Sequence, residues 1–167
     1  MDDTTVTNRR ITFLILRGFF AQFWLLQFFG KLRDADAGTV AFGNLAAWSL
    51  KTTDWFVKTS PLPAFAVAPY TYAVPYIELA LGLLILVGWK TRWALFAAAA
   101  YLVSLDVGLM FQAKHDVVGT NTVTMLALFL AANLAKYNAF SIDDGFKWPR
   151  AATDAAGSGS PGSPVAR

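Results

Sequence analysis

Apolar residues are concentrated in four long stretches of the chain, and only short polar segments separate the last three. Each stretch approaches the ~20 residues that a helix needs to cross about 30 Å of hydrocarbon. The four stretches are Ile11–Phe29, Tyr72–Trp89, Trp93–Ala113 and Val117–Ala135. This pattern predicts an all-α integral membrane protein whose four transmembrane helices form a bundle.

The longer connection after the first stretch has a helical periodicity of its own. Within Thr39–Thr59, polar residues recur at three- and four-residue steps, and apolar and aromatic residues fill the opposite face. This pattern is typical of an amphipathic helix on a membrane surface, and a soluble helix that caps the bundle would share it. Pro61 and Pro63 should end the helix, because proline lacks the N–H that continues it. We therefore expect an amphipathic interfacial helix between transmembrane helices 1 and 2.

The composition also indicates that a lipid bilayer surrounds the chain. Charged residues make up 15% of the 167 residues and hydrophobic residues 56%, whereas a typical soluble domain has about 25% charged residues. The aromatic share of 15% suits a protein whose rings lie at lipid headgroups. The net charge of +3 is not gathered on a basic face, so we expect no nucleic-acid partner.

The basic residues predict the orientation of the spans, because Lys and Arg are enriched in cytoplasmic loops. Of the basic residues that flank or connect the spans, seven lie on one side of the membrane and five on the other. The seven are Arg9, Arg10, Lys90, Arg92, Lys136, Lys147 and Arg150, and the five are Lys31, Arg33, Lys51, Lys58 and Lys114. We therefore expect a multi-pass protein of the plasma membrane (the cell inner membrane) with both termini cytoplasmic.

The spans divide the chain into three segments. We expect a cytoplasmic N-terminus over residues 1–9, a four-helix membrane domain over residues 10–145, and a flexible cytoplasmic tail over residues 146–167, which is rich in Gly, Ser and Pro. A cleaved signal peptide is the alternative for the first span, since Ala35-Asp36-Ala37 resembles a cleavage site. That span exceeds the roughly 7–15 apolar residues of a signal peptide and contains Arg17, which favours a retained helix.

Three ionisable residues lie inside the apolar stretches, namely Arg17, Glu78 and Asp106. Each costs about 2.5–3.5 kcal/mol at the centre of a membrane helix, so such residues usually face the bundle interior and find partners. At ~1.5 Å per residue, Glu78 and Asp106 lie at about the same depth in adjacent spans. Gln27 lies near that depth in the first span, and Lys31 follows one turn farther out.

These positions predict an outward-opening polar pocket among the spans. Arg17 shares a helical face with Gln27 and Lys31, and its long side chain can extend along the helix. The candidate ligand-binding or proton-handling residues are Glu78, Asp106, Lys31, Arg17 and Gln27. The alternative is a network of ion pairs that only stabilises the bundle.

The sequence contains few of the Cys and His side chains that bind transition metals. The chain has no Cys and a single His, so it cannot form a disulfide, an iron–sulfur cluster, a bis-His haem site or a His/Cys zinc site. We expect no metal site and no intrinsic cofactor. Any redox role would therefore depend on a bound organic cofactor or on a partner protein.

Several short motifs follow one another in a familiar order. They are Leu16-Arg17-Gly18, Phe28-Phe29-Gly30-Lys31-Leu32, Ser60-Pro61-Leu62-Pro63, Pro75–Leu84, Gly88-Trp89-Lys90-Thr91-Arg92, Asp116–Gly119 and Tyr137–Asp143. With these motifs the chain resembles the DoxX-like family of small four-helix membrane proteins. One branch of that family resembles a subunit of thiosulfate:quinone oxidoreductase.

The resemblance implies a membrane accessory subunit of a quinone-linked oxidoreductase. Such a subunit would dock a redox partner and help to shape a pocket for a quinone that binds together with partner subunits. The matching positions within the membrane are Arg17, Lys31 and Glu78. Two alternatives stay open, a non-catalytic membrane anchor or scaffold for a protein complex and a small-molecule or proton transporter.

Overall fold

The computed structural model describes residues 3–34, 38–143 and 145, and all of the regular structure in these residues is helical. The helices are α1 (Asp3–Leu32), α2 (Gly43–Thr59), α3 (Ala64–Val87), α4 (Thr91–Met110), α5 (His115–Leu134) and a 3-10 turn (Ala135–Tyr137). Helices α1, α3, α4 and α5 are long and apolar enough to cross a membrane. The prediction of an all-α protein with four potential membrane spans is therefore confirmed.

The structure does not test two predictions from the sequence, the signal-peptide cleavage site and the flexible tail. The proposed cleavage motif Ala35-Asp36-Ala37 and the whole of the expected tail (residues 146–167) lie outside the described residues.

The helices do not begin and end where the apolar stretches do, because a helix can extend beyond the apolar segment that lies in the lipid. Helix α3 begins at Ala64, eight residues before the predicted start at Tyr72, and runs through Pro69 and Pro75. Its start follows Pro63, whose backbone is extended. At its other end Gly88 adopts a left-handed conformation (φ 71°), which glycine reaches without strain.

The bundle is held together by apolar contacts between α1 and α3 and between α4 and α5, and α2 packs against α3. Phe13, Phe20 and Trp24 of α1 are almost fully buried in this core. Gly82 lets α1 and α3 approach closely, because a Cβ atom there would lie 2.8 Å from the Leu25 side chain. Many large apolar side chains point outward, as expected for helices that lipid surrounds.

The bundle has two ends, because consecutive spans run in opposite directions. The hairpin end contains the α3–α4 turn, the start of α1 and the 3-10 turn after α5. The pocket end contains α2, the C-terminus of α1 and the α4–α5 turn. The two ends carry different polar sites.

Candidate functional site

A cavity of about 530 Å³ lies at the pocket end, where all five helices contribute to its walls. Its walls are mainly apolar and aromatic. They include Phe23 and Trp24 of α1, Trp48 and Trp55 of α2, Tyr70 of α3 and Leu105 of α4. Such a mainly apolar cavity with a few polar groups is the usual form of a small-molecule site.

An ion pair between α1 and α3 forms the charged part of this cavity. Lys31 Nζ lies 2.8 Å from Glu78 Oε1 and 2.6 Å from Glu78 Oε2. The same ammonium donates to the backbone carbonyl of Gln27 at 3.2 Å and lies 4.8 Å from the centre of the Trp48 ring. Glu78 is buried, and the Lys31 side chain is only 10% exposed. The pair is therefore largely removed from water, and each charge neutralises the other.

Hydroxyl groups lie on the wall formed by α3 and α4. Tyr70 Oη and Ser104 Oγ are 2.7 Å apart, and both residues line the cavity. Thr71, another lining residue, pairs through its hydroxyl with Thr53 of α2 at 2.6 Å. The cavity thus offers neutral hydrogen-bonding groups in addition to the ion pair.

Two buried polar atoms beside the cavity have no hydrogen-bond partner in the part of the chain that the structure describes. They are the indole N–H of Trp24 and the hydroxyl of Tyr101, whose rings pack 5.4 Å apart. The Tyr101 hydroxyl lies near the Glu78 carboxylate and interacts with it electrostatically. An unsatisfied buried donor costs roughly 1–3 kcal/mol. A ligand oxygen that accepts from Trp24 would remove that penalty.

Asp106 joins the site through a neighbour. It is buried in α4 and accepts a 2.6 Å hydrogen bond from the side-chain amide of Asn121, which lines the cavity from α5. The structure therefore brings Lys31, Glu78 and Gln27 together and connects Asp106 to their cavity.

Arg17 lies at the hairpin end, away from this cavity. Its guanidinium donates to Asn138 Oδ1 at 2.6 Å and to the backbone carbonyls of Ala139 and Phe140, both at 2.9 Å. The sequence placed Arg17 on the correct helical face for the pocket. Its side chain instead meets a C-terminal segment that supplies three acceptors.

The aromatic and hydroxyl groups of the cavity are not among the site residues predicted from the sequence. Trp48 and Trp55, one heptad apart in α2, both line the cavity, whereas the periodicity placed the aromatic residues of this segment only on the apolar face of an amphipathic helix. Tyr70 and Ser104 could not be recognised as site residues from the sequence. A charged residue stands out in an apolar span because its insertion is costly, whereas a neutral hydroxyl group carries little of this cost.

Within residues 3–34, 38–143 and 145, no group of three His, Cys, Asp or Glu side chains could hold a metal ion. The absence of an intrinsic cofactor stays a prediction.

Comparison with known proteins identifies the family. A family model described as "Methylamine utilisation protein MauE" matches residues 9–118, which include Lys31, Glu78 and Asp106. No curated protein and no solved structure matches the chain.

The predicted membership of the DoxX-like family is wrong, because the match is to a different membrane family. The motifs behind that prediction are mostly span ends and tight turns. Gly88–Arg92, for example, has the left-handed glycine and the charged residues that a short membrane hairpin needs in any family. The match to residues 9–118 covers more than half of the chain, which therefore belongs to the family of the methylamine utilisation protein MauE.

Proposed function

We propose that this chain is a membrane accessory protein of an amine-utilisation system and that its cavity binds a hydrophobic ligand with a polar head, namely a quinone. The family supports the first part of the proposal. The observation that carries the second part is the buried Lys31–Glu78 pair in the wall of a mainly apolar cavity.

The groups around the cavity suit the shape and polarity of a quinone. A quinone has a flat ring, two carbonyl oxygens that accept hydrogen bonds and an apolar tail. Trp48 and Trp55 offer aromatic surface to the ring, and Lys31 Nζ and the Trp24 N–H are donors for the two oxygens. A bound quinone would supply two-electron redox chemistry that the side chains of this chain cannot provide.

The ion pair would position the ligand. The Lys31 ammonium has three N–H donors, which contact the two Glu78 oxygens and the Gln27 carbonyl. A ligand oxygen would replace the 3.2 Å contact with Gln27, while Glu78 keeps the charge compensated. Val107 and Val117 line the cavity and are partly exposed on the outside of the bundle. An apolar tail can therefore leave the cavity towards lipid.

We also propose that α2 lies at the membrane surface. Its polar face carries the exposed pair Lys58–Asp54, joined at 2.7 Å, and its other face buries Leu45 and Ser49. Trp55 is 40% exposed as well as lining the cavity, which suits a ring at headgroup level. In this arrangement α2 would cover the cavity from the aqueous side.

The proposed orientation places both termini in the cytoplasm. Reporter fusions after Arg33, Lys90, Asp116 and Arg150 should read outside, inside, outside and inside, because the majority of the basic residues then face the cytoplasm. Paired alkaline phosphatase and fluorescent-protein fusions measure this directly. An inside signal at Arg33 together with an inside signal at Arg150 would contradict the orientation.

The quinone proposal predicts saturable quenching of tryptophan fluorescence. Three tryptophans line the cavity, so a short-chain ubiquinone analogue added to the protein in nanodiscs should quench them with a defined dissociation constant. Lys31→Met should weaken this binding about tenfold or more, since a hydrogen bond from a charged group contributes about 1.5–3 kcal/mol.

Lys58→Met is the matched control, because Lys58 also pairs with a carboxylate at the pocket end but its side chain is 70% exposed. It should leave the dissociation constant unchanged. Quenching that never saturates, or an equal loss of binding in both variants, would refute the assignment of the cavity to a quinone.

A further inference from the structure

A second cavity lies at the hairpin end, and its lining is much more polar than that of the first. It has a volume of about 600 Å³ and is formed by the start of α4, the end of α5 and the segment that follows. Three basic side chains line it, Lys90, Arg92 and Lys136.

Among the described residues one carboxylate lines this cavity, that of Asp143, and it is already engaged. Asp143 Oδ1 accepts from the backbone N–H of Lys90 at 2.8 Å, and Oδ2 accepts from the N–H of Thr91 at 3.1 Å and from its hydroxyl at 3.3 Å. Asp143 therefore satisfies the first amides of α4. It forms no ion pair with the basic side chains of the cavity in the described residues.

The three basic groups are consequently available to an anion. Their observed contacts are with aromatic rings: Lys90 lies 5.7 Å from the Trp89 ring, Arg92 lies 5.7 Å from Phe96 and Lys136 lies 5.2 Å from Tyr137. Within the described residues none of them pairs with a carboxylate. In the part of the chain that the structure describes, three cations and one engaged carboxylate leave a concentrated positive charge around the cavity.

The surroundings of the cavity suit the level of lipid headgroups. Trp93 lines it and is 71% exposed, and an exposed Trp at the end of a span is typical of the membrane interface. Phe129 and Leu130 lie one turn before the cavity on α5 and are also exposed. They offer apolar surface directly below the positive charge.

We propose that this cavity binds the phosphate of an anionic phospholipid, with the acyl chains along the exposed face of α4 and α5. Arg92 supplies a planar fork of donors for phosphate oxygens, and Lys90 and Lys136 supply point charges on either side. The lipid would connect the start of α4 to the end of α5. This inference is independent of the proposed function, because it uses none of the residues of the quinone cavity.

Native mass spectrometry and thermal unfolding with defined lipids test the proposal. Phosphatidylglycerol should be retained at one molecule per chain and should raise the unfolding midpoint in a saturable manner, whereas phosphatidylcholine should do neither. The double variant Arg92→Gln with Lys136→Gln should bind phosphatidylglycerol at least roughly tenfold more weakly, because it loses two charge-assisted contacts.

The control is Lys51→Gln with Lys58→Gln, which removes the same charge from the pocket end and should bind the lipid normally. Arg92 and Lys136 are exposed, so their variant should unfold at the wild-type midpoint in phosphatidylcholine. Equal retention of both lipids, or equal losses in both double variants, would overturn the proposal. If millimolar inorganic phosphate reproduces the whole effect, the site binds phosphate alone and its assignment to a lipid is wrong.

Discussion

Arg17→Met is expected to destabilise the bundle by about 3 kcal/mol and to lower its unfolding midpoint in detergent. Arg17 is 6% exposed and donates to an amide oxygen and two backbone carbonyls of the segment after α5. Removal of the guanidinium leaves these acceptors without their donor, at roughly 1–3 kcal/mol for each one that stays buried. Thermal unfolding followed by size-exclusion chromatography measures the effect.

Arg9→Met provides the matched control for this prediction. Arg9 lies on the same helix and bonds the hydroxyl of Tyr137 at 2.6 Å, but this contact is exposed to solvent. Its loss should change the stability by less than about 1 kcal/mol. Equal midpoints for the two variants would show that the buried contacts of Arg17 do not hold the hairpin end together.

The second large effect is expected at the Lys31–Glu78 pair. Under the proposed function, Glu78→Gln should abolish quinone binding, because glutamine cannot hold the Lys31 charge in place. The protein should still accumulate in the membrane, because glutamine keeps the volume of the side chain. If the pair only stabilises the bundle, the same variant strands a largely buried cation, an effect of about 3–5 kcal/mol in soluble proteins.

A double-mutant cycle with Lys31→Met separates these two roles. The proposed function predicts that the double variant accumulates normally and still fails to bind the quinone. A structural pair predicts that Glu78→Gln lowers the abundance and that the added Lys31→Met restores it. Restored abundance would place the chain with the scaffold alternative, and the ligand-binding role of Glu78 would be withdrawn.

The sequence specified the four spans because a bilayer demands about 20 apolar residues from every helix that crosses it. It also indicated that Lys31 and Glu78 could meet, since the constant rise of a helix gives the depth of each residue. The start of α3 at Ala64 was missed, because proline usually interrupts a helix and this helix runs through two of them.

The rest of the site could not be predicted, because it depends on which helix faces pack together. The depth of a residue along its span does not give this information. Arg17 could have reached the pocket along α1, and only the fold-back of residues 138–140 shows where its side chain lies. Similarly, the periodicity of α2 revealed that it has two faces. It did not reveal that Trp48 stands over the Lys31 ammonium, 4.8 Å from the ring centre.

The contact between Arg17 and Asn138 has a consequence for biosynthesis. The two residues are 121 positions apart, so a ribosome that adds roughly 5–20 residues per second needs on the order of ten seconds to travel from one to the other. Helix α1 is therefore synthesised, and can enter the membrane, well before its acceptors at residues 138–140 exist. The hairpin end is completed only when residues 138–140 emerge from the ribosome, so α1 gains its final polar contacts long after it has been synthesised.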